Sequence, residues 1–166
     1  MQFISSDTSV WIDFSVIHQI DLPFRLHYTY IMSKDAINDE LLSPPGLGQK
    51  LIARGLLPVE ITIEEFFLAQ QYGNDYPRLS IYDRVALAIA KERQIILLTG
   101  DGPLRKAAGQ EGVRIMGTLG ILDQLQETGK IEVQELKNCL EQLKAHNGGA
   151  VRLPKAEIEK RLSGLL

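Results

Sequence analysis

The chain has 166 residues, of which 45% are hydrophobic and 23% charged, so it is long enough to bury the core of one globular domain. A formal net charge of -3 gives no support to general phosphate binding, although carboxylates loaded with divalent cations would attract phosphate locally. The single cysteine, Cys139, excludes an internal disulfide and a cysteine metal site, and its apolar helical pattern indicates a small packed residue.

Short β-rich runs alternate with helical patterns in the first half of the chain. The elements predicted there, in chain order, are a strand at 2–5, a helix at 8–20, a strand at 28–32, helices at 34–42 and 49–53, a strand at 57–63 and a helix at 64–72. The LPF at 22–24 ends the first helix. Pro58 restricts the third strand to an edge of the sheet or to its own first residues.

The second half contains the clearest patterns. Residues 80–93 carry apolar side chains on one helical face, and the continuous apolar run at 95–99 is typical of a central parallel strand covered on both sides. After a loop at 73–77, the remaining predicted elements are a helix at 103–110, a short strand at 113–116, and helices at 118–127, 133–145 and 154–162.

This order of elements predicts an α/β fold with a mostly parallel sheet and helices on both faces. We expect the α/β core to occupy residues 1–128, with residues 129–166 forming a helical C-terminal extension packed on the same domain. The N-terminal MQFISSD lacks the features of a signal peptide, and no apolar run is long enough to span a bilayer. We therefore expect a cytoplasmic protein with no membrane partner.

Four acidic residues fall where a parallel sheet gathers its ligands. Asp7 ends the first strand and Asp101 follows the strand at 95–99, while Asp83 lies in the first turn of the helix at 80–93. These aspartates can converge on one edge of the sheet if their strands are neighbours. Glu40, on the helix after the second strand, can join them if that helix folds over the edge.

Each acid also has a simpler interpretation. Asp7 and Asp101 precede predicted helices as N-caps, Asp83 completes a Ser-x-x-Asp capping pattern, and Glu40 fits a solvated surface acid. Three aspartates at one functional edge are more than capping needs. Asp83 weighs most, because its helix face continues with small apolar residues and an unpaired buried charge is costly.

The chain resembles PIN-domain proteins over most of residues 1–125. The combination of DTS, SxxDxxALAIA and LLTGD is specific, whereas each motif alone would be weak. The GTLG motif and the helical tail are similar to a prokaryotic subset of the family. The segments that carry the resemblance are SSDTSVWIDF at 5–14, INDEL at 37–41, LSIYDRVALAIAKERQIILLTGD at 79–101 and VRIMGTLGILDQL at 113–125.

The resemblance implies a three-layer α/β/α sandwich and Mg²⁺- or Mn²⁺-dependent ribonuclease activity, as in VapC-type toxins. Thr8 matches the small hydroxyl residue after the first acid, and Thr99 matches the hydroxyl two positions before the last. The family's catalytic and metal-binding quartet corresponds to Asp7, Glu40, Asp83 and Asp101.

Hard carboxylate oxygens suit Mg²⁺ or Mn²⁺ rather than zinc. We expect Asp7 and Asp101 to be the principal metal ligands, and Asp83 to ligate directly or through water. Glu40 would be a further ligand or a base that orients water. Because crowded carboxylates repel one another, at least one should have a raised, coupled pKa without metal.

Basic and aromatic residues near the motifs have two interpretations each. Arg84, Arg105 and Lys106 fit contacts to substrate phosphates and equally fit a solvated basic face. Asp123 is expected to be a surface helix residue. Four tyrosines fit either base stacking or packing in the core and its rim, namely Tyr30, Tyr72, Tyr76 and Tyr82.

The resemblance also implies partners: an RNA substrate, an antitoxin protein and a second copy of the chain. Apolar residues that offer a dimer surface, unless they pack within the chain, are Leu136, Leu140 and Leu143. Three other functions stay open. A receiver-like domain is disfavoured, because one acid follows the first strand and no lysine ends a late strand. A non-catalytic PIN-fold module that binds RNA or protein, and a phosphatase of small phosphoesters, remain alternatives.

Overall fold

The first strand of the chain lies at the centre of a five-stranded, wholly parallel sheet. The computed structural model describes residues 2–166. Its strands are β1 Gln2–Ser6, β2 Tyr28–Ser33, β3 Leu57–Val59, β4 Ile96–Leu98 and β5 Ile115–Met116, in the order β3-β2-β1-β4-β5. The chain builds outward from β1 to β3 and then returns to the other side of β1. The order therefore reverses between β1 and β4, where parallel sheets open a crevice at their carboxyl ends.

Helices cover both faces of this sheet. They are α1 Thr8–Val16, α2 Lys34–Glu40, α3 Leu47–Arg54, α4 Ile63–Asp75, α5 Ile81–Arg93, α6 Gly102–Gln110, α7 Thr118–Glu127, α8 Val133–His146 and α9 Lys155–Ser163. One apolar core joins the sheet to α1, α2, α3, α7, α8 and α9, and the other joins it to α4, α5 and α6. The predicted three-layer α/β/α architecture is confirmed, and the sheet is parallel throughout the described residues.

The helix predicted at 8–20 was too long, because α1 ends at Val16. His18 adopts a left-handed backbone conformation with φ 57°, and a 3-10 turn follows at Leu22–Arg25. The reversal allows Phe24 to stack on Trp11, with ring centroids 5.3 Å apart and nearly parallel planes. Tertiary packing of aromatic rings thus overrides the helical spacing of the sequence.

The strand predicted at 57–63 was also too long. β3 has the edge position that Pro58 predicted, but it ends at Val59. Thr62 instead begins α4 with a capping box, in which its side chain and that of Glu65 satisfy each other's backbone N–H groups. α4 then continues through most of the loop predicted at 73–77.

The C-terminal helices pack on the α/β core. Their buried side chains, from Leu136 to Ile158, belong to the same apolar core as those of α1 and α7. The three leucines considered for a dimer surface are buried within the chain, as is Cys139. The boundary drawn between residues 128 and 129 stays a prediction. Between residues 2 and 166, no helix combines the length and apolarity that a membrane span requires.

Candidate active site

Asp7 follows β1 at the crevice, and hydroxyl groups hold its carboxylate. Its backbone N–H donates to the Leu98 carbonyl at the end of β4, at 2.9 Å. Its Oδ2 accepts hydrogen bonds from Thr99 Oγ1 at 2.8 Å and from Ser9 Oγ at 3.0 Å. Asp7 occupies the N-cap position of α1, but its side chain makes no capping hydrogen bond. Capping therefore does not account for this buried aspartate.

Asp101 reaches the same crevice from the other strand. The Thr99 hydroxyl that donates to Asp7 also accepts a hydrogen bond from the Asp101 backbone N–H at 3.0 Å. Asp101 Oδ2 accepts from Leu104 N at 3.0 Å, so this residue does cap α6 as its pattern suggested. Capping engages one carboxylate oxygen and leaves Oδ1 for another ligand.

Asp83 lies in the first turn of α5, beside both of these aspartates. It forms the predicted capping box with Ser80, whose Oγ accepts from Asp83 N at 3.1 Å. Burial raises the pKa of Asp83 to about 7, with further contributions from the charges of Asp7 and Asp101, while the hydrogen bonds from Ser80 oppose the rise. Capping and membership of an acidic cluster are thus combined in one side chain.

Glu40, the last residue of α2, completes the group. Its Oε1 accepts a hydrogen bond from Thr8 Oγ1 at 2.8 Å, which ties α2 to the start of α1. Burial raises the pKa of Glu40, and the charges of Asp7 and Asp39 add to that rise against the hydrogen bond from Thr8. Asp7 is therefore the common electrostatic neighbour of Glu40 and Asp83.

Within residues 2–166, the four carboxylates have no basic partner. In the part of the chain that the structure describes, none of them forms an ion pair with lysine, arginine or histidine. Within residues 2–166, no three His, Cys, Asp or Glu side chains stand close enough to form a ready-made metal site. The donor set nevertheless fits a hard divalent cation, which prefers carboxylate oxygens and would relieve their mutual repulsion. Ligation would require these side chains to draw closer.

The basic residues proposed to meet substrate occupy different surroundings. Arg84 faces α4, where its guanidinium lies against Gly73, so it is not among the four acids. Arg105 lies near the carboxyl end of β4, with Nη1 3.5 Å from the Thr99 carbonyl oxygen, and lines a cleft shared with Asp101. Lys106 is exposed on α6.

Of the four tyrosines, only Tyr82 borders the acidic site. It lines a small cavity together with Asp7 and Glu40, and its hydroxyl donates to Asp39. Tyr30 and Tyr72 are buried in the two cores, and the Tyr76 hydroxyl donates to Glu111. Asp123, expected on the surface, is bound by Arg161 of α9 in a partly exposed ion pair at 2.8 Å.

Sequence reasoning missed Ser9 and Asp13. Ser9 is the third residue of the DTS motif and links Asp7 to the Gly100 backbone N–H, which donates to its Oγ at 2.9 Å. Asp13 is 6% exposed and accepts a hydrogen bond from Thr118 Oγ1 at 2.7 Å, which joins α1 to the start of α7. Burial raises the pKa of Asp13 to about 6. The signal available in the sequence was an acid in the apolar stretch VWIDF.

A family model described as a PIN domain matches residues 3–165 of the chain. The match runs from β1 to α9 and includes all four acids of the site. The comparison with curated proteins found no match, and neither did the comparison with solved structures.

Proposed function

The chain belongs to the PIN-domain family, whose members are generally nucleases, and from that premise we propose that it is a Mg²⁺- or Mn²⁺-dependent endoribonuclease. The observation that carries the proposal is the set of four carboxylates without a basic partner at the reversal point of the sheet. Burying such charges is costly, and capping accounts for Asp83 and Asp101 only in part and for Asp7 not at all, so a cation shared by the carboxylates explains their grouping better.

We assign roles from the position of each carboxylate. Asp7 and Asp101 would hold the cation, since they follow the two strands that flank the crevice. Asp83 would bind directly or through water, and Glu40 would act as a further ligand or orient the attacking water. When bound, a divalent cation supplies Lewis acidity to phosphodiester hydrolysis. Thr8 and Thr99 fix the orientation of Glu40 and Asp7 through their hydroxyl groups.

Two alternatives are less well supported by the surroundings of the acids. A phosphatase of small phosphoesters would need a closed pocket, whereas Asp101 borders an open cleft of about 1130 Å³. A module that only binds RNA or protein would not need to gather four carboxylates without a basic partner, within the described residues, at one edge of the sheet.

The proposed partners follow from the same family membership. They are an RNA substrate, an antitoxin protein and a second copy of the chain, which together would make the protein the toxin of a cytoplasmic toxin–antitoxin pair. Exposed apolar side chains that would offer contact to a partner protein include Ile63, Phe66 and Phe67 of α4 and Ile81 of α5.

Cleavage of labelled single-stranded RNA in Mg²⁺ or Mn²⁺ tests the proposal. We expect the wild-type protein to cut, and Asp7→Asn and Asp101→Asn each to lose roughly 100-fold or more of the rate. Asp75→Asn, which removes an exposed acid at the end of α4, should cut like the wild type. The proposal fails if the wild type cuts with neither metal, or if the two site variants cut as fast as it does.

A further inference from the structure

The cleft beside the acidic site has cations from three separate elements. We propose that Arg105, Arg114 and Arg152 bind the sugar-phosphate backbone of a single nucleic-acid strand in this cleft. The C-terminal tail thereby becomes one wall of the substrate site. This inference deepens the proposed nuclease function and rests on it, because it names where the strand lies next to the reacting carboxylates.

The cleft meets the acidic site at Asp101. Its volume is about 1130 Å³, and its lining includes Asp101 and Ser9. Ser9 donates its hydroxyl hydrogen bond to Asp7, so a strand in the cleft would continue into the acidic site. Pockets of about 300–1000 Å³ hold one drug-sized ligand, and by that measure the cleft takes a few nucleotides of one strand.

The three arginines converge from α6, from the residues before β5 and from the segment between α8 and α9. All three are exposed, and none has an ion-pair partner in the described chain. Within residues 2–166, the Arg105 guanidinium makes one hydrogen bond, the long contact with the Thr99 carbonyl. Guanidinium groups bind phosphate in a bidentate manner, so three free ones along a cleft suit successive phosphates.

A fourth arginine that lines the cleft, Arg161, differs from these three because it is held in ion pairs. Arg161 is bound by Asp123 at 2.8 Å and by Glu157 at 3.1 Å. It holds α9 against α7, and it neutralises two of the acids that line the cleft. Within residues 2–166 the other three arginines pair with none of the cleft's remaining acids, Asp13, Asp101 and Glu127, so they are available to a ligand although the net charge of the chain is -3.

The GTLG motif shapes the floor of this cleft. A Cβ at Gly117 would lie 3.0 Å from Arg105 Nη1 and 3.4 Å from the Thr99 carbonyl oxygen. A Cβ at Gly120 would lie 2.9 Å from Met116 Cγ. The first glycine thus leaves room for the Arg105 guanidinium at the end of β4, and the second allows α7 to pack closely against β5.

Binding is measured by fluorescence anisotropy with a 5′-fluorescein single-stranded RNA, in an Asp7→Asn background that prevents cleavage. Arg152→Gln should weaken binding by roughly 3–10-fold, and Arg152→Lys should restore part of the loss. Combining it with Arg105→Gln and Arg114→Gln should reduce the slope of log K against log salt by about 2, at about 0.7 per phosphate contact on a single strand. The matched control is Lys137→Gln, which removes one positive charge from α8 outside the cleft and should bind as the parent does.

A parallel titration with DNA of the same sequence separates the two sources of the phosphate backbone, and arginine-dependent binding of either strand supports the proposal. Unchanged affinity and salt slope in the triple variant would overturn it, as would an equal loss in Lys137→Gln. If neither strand binds and the arginines instead govern capture of a protein partner, the cleft is a protein-docking surface and the proposal fails.

The two proposals fail separately. If the wild type cleaves RNA but binds it independently of the three arginines, only the proposal about the cleft fails. If binding depends on the arginines but the wild type cuts RNA with neither metal, only the proposed nuclease function fails. Unchanged melting temperatures of the variants would exclude misfolding as the cause of a loss.

Discussion

Replacing Asp83 with asparagine measures how much stability the acidic site costs. Burial and the charges of Asp7 and Asp101 raise the pKa of Asp83 from its ordinary value of 3.8 to about 7. At ~1.4 kcal/mol per pH unit, that difference corresponds to about 4 kcal/mol. Because the carboxyl is partly exposed and solvent screens it, we halve this figure to about 2 kcal/mol.

The direction of the stability change on replacing Asp83 follows from the direction in which folding shifts its pKa. A group whose pKa is raised by folding contributes stability that is complete below pH 3.8 and is lost as the pH rises through about 7. Near pH 4, the neutral acid and asparagine should be equivalent. By pH 8 the asparagine variant should be about 2 kcal/mol more stable than the wild type, since its amide oxygen can still accept the Ser80 N–H.

The assay is urea denaturation of both proteins in EDTA, from pH 4 to pH 8. The control is Asp75→Asn, whose difference from the wild type should stay within about 0.5 kcal/mol at every pH. Adding Mg²⁺ should stabilise the wild type more than the Asp83 variant, because a ligand that binds only the folded state stabilises it more the more tightly it binds. A variant that is less stable than the wild type at pH 8, or a difference that does not change with pH, would refute the reasoning.

Three further substitutions test the surroundings of the site. Asp13→Asn should be up to about 3 kcal/mol more stable than the wild type at pH 8 and equivalent near pH 4, because burial raises the pKa of Asp13 to about 6 and the amide can still accept from Thr118. Glu65→Gln should destabilise by about 3 kcal/mol in urea denaturation, since Glu65 is 1% exposed and pairs with Arg93 at 2.7 Å. Thr99→Val should lower the rate of RNA cleavage roughly 10-fold, because it removes the hydroxyl that orients Asp7, and should destabilise the fold by about 1–3 kcal/mol, because the Asp101 N–H also loses its acceptor.

Each of these expectations has a contrary outcome. If Asp13→Asn still differs in stability from the wild type at pH 4, the difference does not come from ionisation of the Asp13 carboxyl. A loss below about 0.5 kcal/mol for Glu65→Gln would mean that the ion pair with Arg93 is not effectively buried. Full cleavage by Thr99→Val would show that the Asp7 carboxylate does not depend on that hydrogen bond.

The architecture was predictable because its signals are local and repeated. The apolar run at 95–99 marks a strand covered on both faces, and the alternation of strands with helices predicts parallel pairing. The ends of elements were less predictable. α1 ends at Val16, the backbone turns at His18, and Phe24 returns to stack on Trp11. Phe24 lies outside the predicted helix, so the spacing within residues 8–20 does not reveal this contact.

The C-terminal end of α4 was also difficult to predict from the sequence. Gly73 and its polar neighbours predict a loop, but the helix continues to Asp75. A Cβ at Gly73 would lie 2.9 Å from Arg84 Nη1, so the glycine leaves room for a side chain from α5. The contact between Gly73 and Arg84 forms only when α4 and α5 pack together, so the local sequence does not reveal it.

The residues of the candidate site also differ in how well the sequence predicts their positions. The positions of Asp7 and Asp101 follow from strand order, because Asp7 comes directly after β1, Asp101 follows the end of β4 by three residues, and the two strands are neighbours. Asp13 and Arg114 lie within segments that carry the family resemblance, but no spacing in the sequence marks them or Arg152 as site residues. Their roles depend on α7 and the tail, which fold back beside β4 and β5. Sequence spacing cannot place residues that meet across such distances in the chain.

Binding of Mn²⁺ tests the central claim most directly, because it asks whether the four carboxylates hold a cation. Electron paramagnetic resonance follows the loss of the free-ion signal as protein is added. We predict saturable binding by the wild type and by Asp75→Asn, and loss of that binding in Asp7→Asn and Asp101→Asn. An unchanged free-ion signal with the wild-type protein, or equal binding by the two site variants, would contradict a metal-dependent active site at this edge of the sheet.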